Sequence, residues 1–227
     1  MVDTKKIAVA GAAVVLVTIL TVFALSYMSD FDVAGNPSQD FSQDEFTAIT
    51  FKQPPVLGSR DATVTIVEVG DYQCEMCKLW FEQTRPQIIT NYVDTGKVNF
   101  VFLDMPFLGK DSMTAAEATY CANDQGKYWD YHTKLYQLQQ HVDDGWANMD
   151  RLHAIAFNLD LNMEEFSECM SSKQYFAKIN DNKQKAVIDF NASSTPSFII
   201  VNTSGDSKRI AGAHPYSTFE EIINSLL

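Results

Sequence analysis

The sequence predicts an α/β protein: a strand–helix–strand core, interrupted by a block of helices and preceded by a membrane-spanning helix. Three observations predict it. Val64-Thr65-Ile66-Val67-Glu68-Val69 carries the β-branched pattern of a buried strand and leads through Gly70-Asp71-Tyr72-Gln73 into Cys74-Glu75-Met76-Cys77 at the start of a helical pattern. Strand chemistry stops after Phe102 and returns only at Ser197, with helical periodicity between. Near the N-terminus, Ile7 to Tyr27 is a run of 21 residues without charge.

That run is long enough to cross a bilayer core of about 30 Å as a helix. Lys5 and Lys6 precede it and Asp30 and Asp32 follow, which places the N-terminus in the cytoplasm and the rest outside. The rival is a cleaved signal peptide. Ala24-Leu25-Ser26 would serve as a small-x-small cleavage site, but the apolar core of a signal peptide is usually about 7–15 residues. We therefore expect residues 1–27 to be an N-terminal membrane anchor or signal, with the anchor favoured. Residues 28–47 are polar and acidic and read as a flexible linker. The remainder, 48–227, reads as one domain with a helical insertion at about 111–189.

The 227 residues are 46 % hydrophobic, enough for a real core in one or two domains. A net charge of −12 makes nucleic acid an unsuitable partner. Four cysteines are an even number, which in an exported chain suggests pairing.

In order, Thr47 to Lys52 reads as a short edge strand ended by Gln53-Pro54-Pro55, and Gly58-Ser59-Arg60-Asp61 as a turn. Ala62 to Val69 is the central strand. The helix from Cys74 or Glu75 to Tyr92 buries Leu79, Trp80, Ile88, Ile89 and Tyr92. Pro86 lacks an N–H, so a kink or break is expected there. Val98 to Phe102 is a second core strand. Two helices follow within Ser112 to Gln140, separated by Asp124-Gln125-Gly126. A third spans Asn148 to Phe157. Asn162 resembles an N-cap with Glu165 at the third helical position, opening a fourth. Gln174 to Ile188 is a fifth, expected to turn Phe176, Ile179 and Val187 inward. Ser197 to Val201 and Lys208 to Ala211 form a hairpin, and Tyr216 to Leu227 closes the chain as a helix.

The Cys-x-x-Cys carries the chemistry. A helix N-terminus presents unpaired N–H groups that favour negative charge. A cysteine there ionises more readily, and the thiolate is the nucleophile. Two other readings stand beside a redox dithiol. A metal site would need about four ligands, yet there is no second Cys-x-x-Cys, and His132, His141, His153 and His214 are scattered. An inert structural disulfide is the third reading.

Four segments, taken together, resemble the DsbA-like branch of the thioredoxin superfamily. They are Gly70-Asp71-Tyr72-Gln73-Cys74, the Cys-x-x-Cys, Ser194-Thr195-Pro196-Ser197-Phe198 and Gly212-Ala213-His214-Pro215-Tyr216. The resemblance is to the membrane-anchored or exported subgroup and covers about residues 48–227. It implies a thioredoxin fold with an inserted α-helical subdomain. It implies that Cys74 is the nucleophile, Cys77 the resolving cysteine and Pro196 cis, with the Thr195 backbone beside the sulfurs to meet an extended substrate; the residues alone favour a trans proline opening a strand. It also places an acid, Glu68, beneath the resolving cysteine, where a raised pKa suits proton exchange. A solvent-facing Glu68 on an edge strand is the alternative. For Cys121 and Cys169 the resemblance implies a structural disulfide, with a second redox relay as the alternative. Inside the motif, strongly oxidising members carry a His. Glu75 and Met76 stand here instead, and the charge of Glu75 should make the couple less oxidising.

The expected function is that of an extracytoplasmic thiol–disulfide oxidoreductase on the cell membrane, donating disulfides to reduced or misfolded exported proteins. By family analogy its reoxidant is a membrane protein of the DsbB or vitamin K epoxide reductase type. The alternatives are a reductase or isomerase kept reduced by a membrane electron donor, and a non-catalytic thioredoxin-fold binding module. No cofactor motif is present, and the disulfide is itself the redox group.

Overall fold

The computed structural model describes residues 55–227. The anchor at 1–27, the linker at 28–47 and the edge strand expected at Thr47 to Lys52 lie outside them. Among the described residues no helix is long and apolar enough to cross a membrane.

Five strands form one sheet: β1 (Val56–Leu57), β2 (Val64–Gly70), β3 (Val98–Asp104), β4 (Ser197–Asn202) and β5 (Ser207–Ala211), in the order β1-β3-β2-β4-β5. The central β2 runs parallel to β3 and antiparallel to β4. Its alternation sorts the core. Val64 and Ile66 pack with Trp80, Ile88, Phe198 and Phe219 on one face, while Val67 and Val69 pack with Ala186, Phe190 and Ile199 on the other. Glu68 shares the first face with Val64 and Ile66 by the two-residue period. The central strand thus begins and ends later than the sequence suggests, and a short edge strand lies just past the prolines.

The helix after the dithiol is divided. α1 (Glu75–Gln83) is capped by Cys74 and ends at Thr84. α2 (Arg85–Ile88) then opens with Pro86 in its first turn, where a missing N–H costs little, and a π-helical turn, Ile89–Val93, follows. The break expected at Pro86 falls at Thr84 because proline is tolerated inside a first turn and not above one.

The insertion comprises α3 (Ser112–Asn123), α4 (Tyr128–Leu138), α5 (Met149–Asn158), α6 (Met163–Ser172) and α7 (Phe176–Ile188), and α8 (Tyr216–Leu226) closes the chain. Asn162 caps α6 as its sequence suggests, accepting from the Glu164 and Glu165 N–H groups and donating to the Glu165 carboxylate at 2.8 Å. In α7 the inward stripe is Ile179, Asn182 and Ala186, whereas Phe176 and Val187 are exposed. Phe176 sits at the first helical position, beyond the core, and Val187 lies about 100° around the helix from Ala186.

Two features fasten the insertion. Asp104, buried at the end of β3, accepts from Tyr120 Oη of α3 at 2.8 Å and from Asn182 Nδ2 of α7 at 3.0 Å. Within the insertion, Cys121 of α3 and Cys169 of α6 are joined by a disulfide and both are buried. Closing a loop with a sequence separation of 48 residues removes unfolded-chain entropy equivalent to about 4 kcal/mol. Thiol counting after mild reduction of the native chain should therefore find two thiols, not four. The Cys121→Ala, Cys169→Ala double variant should lose about 2–4 kcal/mol of unfolding free energy by denaturant titration.

Candidate active site

The end of β2 delivers the dithiol. Asp71 builds the turn after the strand: one carboxylate oxygen accepts the Gln73 N–H at 2.9 Å, and the other accepts those of Phe107 and Leu108 at 2.9 and 3.0 Å. Gly70 must remain glycine, since a Cβ there would collide with the Phe102 ring. Cys74 then occupies the N-cap of α1 in extended backbone, and its Sγ accepts the Cys77 N–H at 3.4 Å. Both sulfurs are unbonded thiols in this structure. Cys74 is 6 % exposed and Cys77 is 0 % exposed, so the first is the one a substrate can meet.

The two cysteines ionise very differently. The hydrogen bond from the Cys77 side chain, aided by contacts to Thr195 and to the backbone N–H groups of Cys77 and Met76, brings Cys74 down to about 6 against the opposing effect of burial. Cys77 is pushed up, first by burial and then by its bond to Cys74 and the nearby Glu68.

Opposite Cys74 lies the Thr195-Pro196 peptide, which is cis. The Cys74 thiol donates to Thr195 O at 3.3 Å. Glu68 pairs across the sheet with Phe102 and Phe198. Glu68 is 1 % exposed, and one of its carboxyl oxygens is buried with no hydrogen-bond partner. Burial pushes its pKa up to about 8, with Arg85 pulling the other way. The solvent-facing alternative for Glu68 therefore does not hold. Cys74, Cys77, Glu68, Thr195 and Pro196 meet at one place, Glu75 and Met76 stand exposed at its rim, and the Cys121–Cys169 bridge is separate.

Several site residues escaped the sequence. Arg85 is buried, with its guanidinium carbon 5.0 Å from the Phe81 ring centroid and 5.5 Å from that of Phe100; it is the cation that faces Glu68. Gln139 of the insertion donates to Tyr72 O and, at 3.0 Å, to Cys74 O. Gln73 is wholly buried, accepting the Asp143 N–H at 2.8 Å and donating to Ser112 Oγ at 3.2 Å. His132 is buried with Nδ1 2.9 Å from Tyr72 Oη. Among the described residues no group of His, Cys, Asp and Glu could hold a metal ion.

A family model described as Thioredoxin matches residues 50–225. The chain belongs to the thioredoxin superfamily, on its DsbA-like branch. It is 32 % identical over 184 residues to disulfide bond formation protein D of Bacillus subtilis, covering 78 % of this chain and 79 % of that protein. The probable disulfide bond formation protein D of Bacillus cereus is 33 % identical over 135 residues, 57 % of this chain and 62 % of that protein. The crystal structure of oxidised BdbD from Bacillus subtilis superposes with a TM-score of 0.68 at 29 % identity, covering 76 % of this chain and 92 % of that one.

The raised carboxyl sets a pH dependence with a definite sign. Between the ordinary carboxylate value of 4.5 and about 8, the folded state keeps a proton that the unfolded state has lost. The contribution of Glu68 to stability therefore falls as pH rises through that window, by up to about 1.4 kcal/mol per pH unit, while Cys74, lowered to about 6, acts in the opposite sense above that pH. Glu68→Gln should remove this slope in denaturant melts from pH 5 to 8. In single-turnover experiments it should also slow formation of the mixed disulfide. Parallel melts and unchanged kinetics would show that Glu68 carries no proton for the site.

Proposed function

We propose that this chain is an extracytoplasmic protein disulfide oxidoreductase that donates disulfides to exported proteins. The observation that carries the reading is the asymmetry of the two thiols: Cys74, 6 % exposed and held near pKa 6, beside a fully buried Cys77 whose pKa is raised. In the oxidised protein the two sulfurs are joined. A substrate thiolate attacks Cys74 Sγ, the Cys74–Cys77 bond breaks, and its electron pair leaves on Cys77. Glu68, still protonated at neutral pH, supplies the proton that Cys77 takes up. A second substrate thiolate then attacks the substrate sulfur of the mixed disulfide and expels Cys74. That step is favoured because Cys74 is a low-pKa leaving group. The products are a substrate disulfide and a reduced Cys74–Cys77 pair.

The Thr195 and Pro196 backbone would pair with an extended substrate segment, and Glu75 and Met76 would meet it at the rim. Ile7 to Tyr27 supports a single-pass anchor in the cell membrane. Held there, the domain would meet a reoxidant of the DsbB or vitamin K epoxide reductase type at high effective concentration. The second reading, a reductase or isomerase fed by a membrane electron donor, is favoured by Glu75, whose charge opposes a Cys74 thiolate.

Equilibration with glutathione decides the direction. Disulfide donation predicts a reduction potential clearly above the thioredoxin value of about −270 mV, and Glu75 predicts one below the strongest oxidants at about −120 mV. Oxidative refolding of a reduced, unfolded substrate should be lost in Cys74→Ser. A potential near that of thioredoxin would turn the reading to reduction.

A further inference from the structure

We propose that His141 is a positioning residue of the redox site: its ring pairs with Glu75 inside the Cys-x-x-Cys and, when protonated, offsets the carboxylate that would otherwise oppose the Cys74 thiolate. This rests on the dithiol reading above and assigns a role to a residue outside the motif, on the loop after α4.

The geometry carries it. His141 Nδ1 lies 2.8 Å from Glu75 Oε1. Both side chains are exposed, but the loop bearing the ring is fixed to the motif on either side. Two residues before, the Gln139 side chain grips Tyr72 O and Cys74 O, and Gln139 O accepts from Lys78 Nζ at 2.7 Å. Two residues after, the Asp143 N–H donates to Gln73 Oε1 at 2.8 Å. At His141 itself the backbone N–H donates to Asp144 Oδ2 at 3.1 Å. The ring is thus delivered to the first residue of α1, immediately after the nucleophile.

The surrounding charges fit the role. From α1, Glu75 faces the ring, while Lys78 is committed to Gln139 O and lies 3.9 Å from Glu82. From the loop, Asp144 adds a second negative charge, and Asp143 accepts the Lys110 N–H at 2.8 Å. On the buried side, Cys77 of α1 bonds to Cys74 and Glu68 of β2 interacts with it. Glu75 and then Asp144 raise the pKa of His141 above its ordinary 6.5. Below that raised value the ring is a cation and the Glu75 charge is offset. Above it the carboxylate stands alone beside Cys74 and opposes ionisation. Because the pair is exposed, salt should weaken it.

The test is a pH titration of the thiolate absorbance of Cys74 in the reduced full-length chain, at low and high salt. It compares wild type, His141→Gln, Glu75→Gln and the double variant. His141→Gln should reduce the acid dissociation constant of Cys74 by about two- to fivefold, the range an exposed ion pair supplies. The effect should shrink in high salt and vanish in the Glu75→Gln background. In parallel, the glutathione equilibrium constant of His141→Gln should differ from wild type at pH 6 and converge on it at pH 8.5. Superimposable titrations of wild type and His141→Gln would overturn the proposal, as would an effect of equal size without Glu75. The thiolate readout does not depend on donation to exported proteins. Failure of refolding activity in the wild type would therefore count against the proposed function and leave this measurement to decide His141 separately.

Discussion

The arrangement depends on placing a sulfur where a helix has N–H groups to spare. Cys74 is the N-cap of α1, and its Sγ takes the Cys77 N–H that no earlier turn can use. That requires the chain to leave β2, turn sharply and enter the helix within a few residues. Asp71 makes the turn and Gly70 allows its close approach to Phe102. The sheet then fixes what lies opposite, since β4 is the antiparallel neighbour of β2 and begins directly after the cis Thr195-Pro196 bond. The two sides of the site are thus the starts and ends of paired central strands, which are among the most buried elements of the domain.

Beneath this pair, polar groups are kept in an apolar interior at some cost. An ionisable carboxyl on a fully buried strand is rarely tolerated without a task or a partner. Glu68 has a distant partner in Arg85, which rests among the rings of Phe81, Phe100 and Trp129. The carboxyl stays neutral near physiological pH for the same reason that Cys77 does: burial penalises the charged form of each. One sulfur is therefore biased towards thiolate and the other towards thiol within a single turn of helix.

Much of this could be read from the residues. Val64 to Val69 had to be a strand because its alternation admits no other buried form, and the insertion helices announced themselves by period and cap, as at Asn162. For Glu68 the residues left burial and a solvent-facing edge both open, and only the tertiary structure decides for burial. What could not be read were contacts whose partners are remote in sequence. Glu75 and His141 are separated by 66 positions, and neither carries a local signal of the other. Gln139 and Arg85 were invisible for the same reason. A glutamine in a helix end and an arginine before a proline are ordinary surface residues until the tertiary fold wraps around them. The directions of Phe176 and Val187 were missed because periodicity gives a face but not where the core beneath it ends.

The grip of Asp71 on the segment after β3 has a consequence for how such a site can change. Its second carboxylate oxygen holds only the main-chain N–H groups of Phe107 and Leu108, leaving both side chains turned to solvent. A bond to backbone is indifferent to side-chain identity. Substitution of either side chain therefore leaves intact the bonds that hold the turn before Cys74. The turn that carries the sulfurs and the exposed side chains of the segment facing it are thus fixed by different atoms, and so can evolve separately.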